Sequence, residues 1–261
     1  MSDLFWPGDE RAGDLMTQES WLAAMVAVEQ AWLDALAGAG VAPGSASLAG
    51  LVGGRDLAEL ATGAESGGNP VLGLVAMLRD RADGPGAAWI HRGLTSQDVV
   101  DTGLVLCLRD VATRVRSELR AQAEALVVLA DRHRDTLMTG RTLTQAAVPI
   151  TFGLKAATWL GGILDAAAAL DRLAFRAQLG GAAGTLSAAR ELAHDAATAG
   201  GQAVSLAAGA AERLGLAHAA PWHTSRGAVT AVGDAFTACT VAHSACHGPA
   251  DRSSWLSAEA R

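Results

Sequence analysis

Three short polar segments contain the residues whose types and spacing could do chemistry. The first reads HRGLTSQD over 91–98 and carries an imidazole, a guanidinium and two hydroxyl groups directly before a predicted helix. The N–H groups and the positive end of the helix dipole make such a position favourable for an anion. The segment therefore predicts a site for an anionic ligand. A purely structural role stands beside this interpretation, in which Thr95 or Ser96 is the helix N-cap and Asp98 completes a capping box.

Two further segments repeat the arrangement. GRTLTQ at 140–145 precedes Pro149 and a predicted helix, and PWHTSR at 221–226 precedes another. Each places a guanidinium and hydroxyl groups ahead of a helix start, although a polar turn between two helices has the same composition. The three segments could form one anion site, but sequence spacing does not show that they converge.

Two other patterns argue against nucleotide and metal sites. GGAAGT at 180–185 follows a predicted helix and has neither the Lys-Ser/Thr of a P-loop nor GxGxxG spacing, so we predict a close backbone passage near a site. His243 and His247 have the spacing of helical zinc ligands, but no third ligand candidate accompanies them. We therefore predict no metal.

Apolar residues at helical spacing predict the elements that position these segments. One stripe predicts a helix over 17–37 with Thr17 as its N-cap; it comprises Trp21, Met25, Val28, Trp32 and Leu36. Two long helices are predicted from Gln97 to about Met138 and from about Pro149 to Gln178. Further helices are predicted over 55–65, 70–82, 201–214 and 225–245.

These elements predict an all-α fold. We expect a small N-terminal helical domain over 1–95, a central long-helix bundle over 96–236 and an aberrant tail over 237–261. Aromatic residues make up 4% of the chain and tyrosine is absent, which disfavours an all-β sandwich or barrel.

Composition excludes several classes of partner. The 27 acidic and 20 basic residues give a net charge of −7, which disfavours nonspecific binding to nucleic acid. The uncharged stretches 196–211 and 235–250 are shorter than the ~20 apolar residues of a membrane span. Three cysteines without a CxxC pair, and no signal-peptide pattern at the start, predict a cytoplasmic protein without a membrane partner. The 18% charged fraction is low and predicts helix surface buried between chains.

The motifs, taken in order, resemble one family. HRGLTSQDVVDT, GRTLTQAAVPITFGLKAATWL, QLGGAAGTL and PWHTSR are similar to successive blocks of the bacterial 3-carboxy-cis,cis-muconate cycloisomerases, in the fumarase/aspartase/adenylosuccinate lyase superfamily. LFWPGDERAGDLM at 4–16 and GNPV at 68–71 resemble the same group, so the resemblance runs from about residue 4 to 235. TSQD and WHTSR favour the cycloisomerases over the adenylosuccinate lyases.

The resemblance implies a fold, a reaction and an assembly. It implies a bundle of the fumarase/aspartase type, and a homotetramer whose active sites combine blocks of different subunits. It implies no cofactor and no metal. The implied reaction converts 3-carboxy-cis,cis-muconate, a small polycarboxylate, to carboxymuconolactone in protocatechuate catabolism.

The resemblance also assigns roles to residues of the matched blocks. His91 and Ser96 are the candidate catalytic residues. The candidate substrate-binding residues are Arg92, Thr95, Arg141, Thr142, Gln145, His223 and Arg226. Lys155 is a further candidate for the positive charge that such a substrate needs.

Two departures from the family set the alternatives. Lyase relatives have a histidine where this chain has Leu143, and the serine-bearing signature GSSxMPxKxNP does not occur in the sequence. From about Thr237 the sequence no longer resembles the family, so we expect a bundle that is incomplete at the C-terminus, with impaired activity. The alternatives are an adenylosuccinate lyase-like C–N or C–O lyase and a catalytically silent bundle fragment.

Overall fold

The computed structural model describes residues 7–143, 145–193 and 197–246. Its helices are α1 (Gln18–Gly38), α2 (Leu57–Gly67), α3 (Val71–Arg81), α4 (Ser96–Arg132), α5 (Phe152–Asp171), α6 (Ser187–Glu191), α7 (Ala199–Arg213) and α8 (Gly227–Cys246). Strands β1 (Leu137–Thr142) and β2 (Gln145–Thr151) form one antiparallel hairpin. The all-α prediction is confirmed apart from this hairpin. No helix in the described ranges is both long and apolar enough to cross a membrane.

The helices predicted from apolar spacing are confirmed, with ends shifted by a few residues. These are the helices predicted over 17–37, 55–65, 70–82, 201–214 and 225–245. Thr17 is the N-cap of α1, since its Oγ1 accepts a hydrogen bond from the N–H of Ser20 at 3.1 Å. Helix α8 continues through Thr237 without ending there, and 247–261 lie outside the described residues.

The chain forms two compact units. One comprises the described residues of Met1–Val111 and Ala174–Ala228, and the other those of Ala112–Leu173 and Val229–Arg261. The first turns of α4 therefore belong to the first unit and the rest of that helix to the second. The domain boundaries predicted at 95 and 236 stay a prediction.

The first unit is built around α1. Trp32 and Leu36 on this helix are fully buried, as are Leu74 and Leu78 on α3. Helix α7 packs on α1 through a face composed largely of alanine, and such small side chains let helix axes approach closely. Burial of each large side chain stabilises the fold by about 1.5–3 kcal/mol.

The second unit contains the hairpin, which was not predicted from the sequence. The prediction of helix over 97–138 is wrong beyond Arg132, and the helix predicted from Pro149 begins only at Phe152. The intervening run contains Gly140 and several β-branched residues, which favour extended backbone. Pro149 pairs opposite Thr139, a position open to proline because a two-stranded ladder has only edge strands.

Helix α5 also ends earlier than predicted. It ends at Asp171, whereas the sequence predicts helix to Gln178. Beyond it, the N–H of Ala177 donates to the carbonyl of Ala217 at 3.0 Å, and the N–H of Ala217 donates to Phe175 at 2.9 Å. This backbone pairing replaces the last helical turns and leads the chain into the glycine-rich segment.

Gly180 provides a test of that segment's close passage. A Cβ on Gly180 would lie 2.6 Å from Cβ of Pro221 and 3.0 Å from Cα of Gly184. We expect Gly180→Ala to destabilise the protein by about 1–3 kcal/mol in urea denaturation, because a proline ring and backbone cannot move aside cheaply. Gly201→Ala on α7 is the control, since a Cβ there meets no described atom within 4 Å. Equal midpoints for the two variants would contradict the prediction.

Asp56 makes stability depend on pH. Its carboxylate accepts hydrogen bonds from the Arg81 guanidinium and from the N–H of Gly53, each at 2.9 Å. The Arg81 hydrogen bond is the main cause that lowers the pKa of Asp56 from 3.8 to about 2. A lowered pKa stabilises the fold above the unfolded value. We therefore expect stabilisation by Asp56 to be complete above pH 3.8 and to disappear as the pH falls toward about 2.

Thermal unfolding between pH 2 and pH 6 measures this effect. Asp56→Asn should reduce the fall in melting temperature that the wild-type protein shows as the pH is lowered. Glu65→Gln, at an exposed carboxylate, should leave that fall unchanged. If the melting temperature of Asp56→Asn falls with pH as steeply as that of the wild-type protein, the Arg81 contact does not stabilise the fold in solution.

Candidate active site

A buried carboxylate organises the start of α4. Asp98 is fully buried, and its Oδ2 accepts hydrogen bonds from the N–H groups of Thr95 at 3.0 Å and Gly181 at 2.9 Å. Its Oδ1 accepts from the N–H of Gly180 at 2.9 Å and from the Gln178 amide at 3.2 Å. Burial raises the pKa of Asp98, and the N–H donors oppose that shift. The structure shows the part of the predicted capping box in which Asp98 accepts from the N–H of Thr95, and the same carboxylate also fixes a distant loop.

Gln178 extends this network to the third motif. Its side-chain oxygen accepts hydrogen bonds from the N–H groups of Trp222 at 2.8 Å and His223 at 3.2 Å. The hydroxyl of Thr102 accepts from the N–H of Gln178 at 3.0 Å and donates to its carbonyl at 2.8 Å. Since Gln178 is fully buried, each of these bonds satisfies a group that water does not reach.

Asp101 provides a second buried acceptor one turn along α4. It accepts hydrogen bonds from the Trp222 indole at 3.0 Å, the Gln97 amide at 3.2 Å and the Arg226 guanidinium at 3.3 Å. Arg226 was predicted to bind substrate, and the structure places it on this carboxylate with 52% of its side chain exposed. Its charge is therefore already partly compensated by Asp101.

The glycine-rich segment passes between the first and third motifs. A Cβ on Gly181 would lie 3.3 Å from the Gly93 carbonyl oxygen, and one on Gly184 would lie 3.0 Å from Cβ of His223. His223 Nε2 lies 3.3 Å from the carbonyl oxygen of Ala182. The prediction of a close passage is confirmed, and segments 91–98, 180–185 and 221–226 converge in the first unit.

Two candidate catalytic residues, His91 and Ser96, lie at this convergence beside two candidate substrate-binding residues, Arg92 and Thr95. Thr95 and Ser96 are half-buried at the first turn of α4. His91 has a backbone φ of 64°, and its Nδ1 lies 2.6 Å from Oε1 of the fully buried Glu29. Arg92 is exposed; its Nε donates to a backbone carbonyl at 2.9 Å, and its guanidinium lies 4.8 Å from the Trp89 ring centroid.

Two features of the site were not predicted from the sequence: the buried Glu29, and the anchoring role of Asp98, Asp101 and Gln178. One signal was available for Glu29, because helical spacing places it on the same face of α1 as Trp32, Leu33 and Leu36. A carboxylate on an apolar stripe needs a partner in the core. Asp98 and Asp101 carry a weaker signal, since their spacing of three puts them on one face of α4.

The second motif lies in the other unit. Arg141, Thr142 and Gln145 are exposed on the hairpin, where Arg141 pairs opposite Ala146 and Thr142 opposite Gln145. Leu143 stands at the turn with a φ of 42° and 93% exposure. The structure therefore does not place these three candidates in the same unit as His91 and Ser96.

The remaining candidates concern charge and metal. The ammonium of Lys155 lies 4.8 Å from the Trp159 ring centroid, a cation–π contact within α5. Among the residues that the structure describes, no group of three or more acidic, histidine or cysteine side chains is placed to hold a metal ion. His247 lies outside the described residues, so its predicted spacing to His243 has no structural counterpart here.

Comparison with known proteins identifies relatives of this chain. A family model described as lyase matches residues 68–241. The nitrosuccinate lyase of Streptomyces davaonensis is 41% identical over 234 residues, which cover 86% of this chain and 48% of that protein. The 3-carboxy-cis,cis-muconate cycloisomerase of Pseudomonas aeruginosa is 41% identical over 174 residues, which cover 64% of this chain and 36% of that protein.

A solved structure shows the same fold. The 3-carboxy-cis,cis-muconate lactonizing enzyme from Pseudomonas putida superimposes with a TM-score of 0.74 at 29% identity, over 88% of this chain and 52% of that chain. The chain spans about half the length of the nitrosuccinate lyase and of the lactonizing enzyme. The family match, the identity and the shared fold agree, and the chain therefore belongs to this lyase family of the fumarase/aspartase superfamily.

Proposed function

We propose that this chain contributes to an active site that cyclises 3-carboxy-cis,cis-muconate to carboxymuconolactone in protocatechuate catabolism. The observation that carries the proposal is the convergence of segments 91–98, 180–185 and 221–226 at the start of α4, held by Asp98 and Gln178. The similarity to the cycloisomerase of Pseudomonas aeruginosa supports the choice of substrate.

The chemistry of the reaction suits these residues. An oxygen of one substrate carboxylate forms a bond to a double-bond carbon, and the displaced electron pair moves toward the carboxylate conjugated with that bond. N–H and hydroxyl groups directed at this second carboxylate stabilise the charge that develops in the transition state. The first turn of α4 with Thr95 and Ser96 supplies such donors, and His91 supplies the proton that the neighbouring carbon takes up.

A trianionic substrate also needs local positive charge on a chain of net charge −7. Arg92 and Lys155 lie against tryptophan rings, and Arg226 contacts the buried Asp101. Arg141 is exposed on the hairpin, where an incoming carboxylate can reach it. We therefore assign Arg141 as the main charge partner of the substrate, with Thr142 and Gln145 beside it.

The site is proposed to be shared between copies of the chain. Large exposed apolar side chains concentrate in the second unit, and patches of this kind mark interaction surfaces. They are Val127, Val128, Leu137, Leu143, Val148, Leu154, Leu164 and Val241. Association through this unit, as a homotetramer, would bring the hairpin of one copy to the first-unit residues of another.

The oligomeric state tests this assembly. We expect sedimentation to give a multiple of the 26.5 kDa chain mass at micromolar concentration, because association removes the apolar surface from water. Leu164→Asp on α5 should shift the protein toward smaller species, whereas Leu72→Asp on α3, at a side chain of similar exposure, should not. A wild-type protein that sediments only as a 26.5 kDa monomer would exclude the assembly.

Turnover and binding together test the reaction. Because GSSxMPxKxNP does not occur in the 261 residues, we expect the chain to bind 3-carboxy-cis,cis-muconate but to convert it slowly, as measured by loss of the diene absorbance. Arg141→Ala should weaken binding by about 10–100-fold, the effect of one charge-assisted hydrogen bond. Arg172→Ala, at an exposed arginine at the end of α5, is the matched control.

The nitrosuccinate lyase relative favours a second candidate, because it matches more of this chain than the cycloisomerase does. A lyase acting on nitrosuccinate breaks a C–N bond next to a carbon that loses a proton, and charge again develops on a carboxylate. The same residues would serve that reaction. Release of nitrite from nitrosuccinate, with no binding of 3-carboxy-cis,cis-muconate, would overturn the first candidate in favour of the second.

A further inference from the structure

Glu29 is an unusual residue for the interior of α1. It is fully buried, and one carboxylate oxygen lies 2.6 Å from His91 Nδ1. The other oxygen, Oε2, has no hydrogen-bond partner among the residues that the structure describes. A buried carboxylate with an unsatisfied oxygen carries a desolvation cost that a buried leucine would avoid. Stability therefore does not explain why a carboxylate occupies this position.

The backbone around His91 is held by other residues. The guanidinium of Arg79 donates to the carbonyl of Ile90 at 2.6 and 3.2 Å, and the Trp32 indole donates to the carbonyl of Arg92 at 2.6 Å. These bonds fasten the residues on both sides of His91, whose φ is 64°. Glu29 contacts the imidazole ring itself, so its effect falls on the ring and its protons.

We propose that Glu29 is a positioning residue that holds a proton on Nδ1 of His91 and presents Nε2 for proton exchange with the substrate. An ionised carboxylate can only accept hydrogen bonds, so the ring nitrogen that faces it must carry the proton. A carboxylate on one nitrogen of an imidazole fixes the tautomer and the orientation of the ring. The His91 side chain is 18% exposed, which leaves part of the ring accessible.

The proposed step is balanced in protons. The imidazolium form of His91 gives its Nε2 proton to the substrate carbon that gains the electron pair, and a new C–H bond forms. The ring becomes neutral. Its remaining proton stays on Nδ1, where it is hydrogen-bonded to the Glu29 carboxylate. Water then returns a proton to Nε2. This inference rests on the proposed function only for the identity of the proton acceptor, because the tautomer can be measured without turnover.

Nitrogen NMR of protein labelled with 15N-histidine tests the tautomer directly. The resonances of His91 are identified as those that His91→Asn lacks. In the wild-type protein, we expect the neutral His91 ring to carry its proton on Nδ1. Glu29→Gln should retain this tautomer, since the amide oxygen can still accept, and Glu29→Leu should lose it. Glu19→Leu, at an exposed position of the same helix, is the control and should change nothing. If the neutral His91 ring of the wild-type protein carries its proton only on Nε2, the proposal is overturned without the need for any Glu29 variant.

Kinetics separate positioning from a structural role. If the chain converts either substrate, Glu29→Leu should lower kcat by about 10–100-fold with little change in KM, and Glu29→Gln should restore much of the rate. An unchanged kcat in a Glu29→Leu protein with an altered tautomer would overturn the positioning role. If no substrate is converted, the proposed function fails, while the NMR result still decides whether Glu29 fixes the ring.

Discussion

Asp98 brings a carboxylate into an interior that water does not reach, and the rest of the candidate site depends on how its oxygens are satisfied. Its donors come from the turn before α4 and from the 178–181 segment, so they tie together parts of the chain that are far apart in sequence. Each oxygen accepts two hydrogen bonds, and loss of one donor leaves a buried lone pair unsatisfied, at a cost of about 1–3 kcal/mol. Gln178 extends the same constraint to Trp222 and His223. The positions of the motif segments in the first unit are therefore coupled.

The second motif is subject to a different constraint. The hairpin carries Arg141, Thr142 and Gln145 on exposed backbone, in a unit that also displays much of the large exposed apolar surface. Polar groups that act on a substrate work best where water is excluded. A hairpin tip can meet that requirement only when another surface covers it. Exposed apolar side chains and exposed polar candidates in one unit are thus two signs of the same proposed assembly.

The sequence predicted the helices well because apolar spacing is a local signal. The stripe containing Trp21, Met25 and Trp32 indicates α1, and its N-cap Thr17 is where the capping rules put it. The hairpin was missed because Leu137–Thr142 has no alternating polarity that would mark a strand beside a long helix. The spacing on α1 marks Glu29 as a buried carboxylate that needs a partner, but the partners of Gln178 and Glu29 could not be predicted. They lie far away in the chain, Trp222 in one case and His91 in the other. Such contacts follow from the tertiary fold and leave little trace in local spacing.

His91 and His223 both have positive φ angles, 64° and 46°, which cost of order 1–3 kcal/mol for a residue with a Cβ. Glycine would relieve this strain at either position, but the consequences differ. At 223 the change gives up a contact with the carbonyl of Ala182. At 91 the change removes the ring that contacts Oε1 of the buried Glu29, whose Oε2 already lacks a partner among the described residues, and this loss is larger than the strain relieved. A population selected only for thermal stability would drift to glycine at 223 and keep histidine at 91.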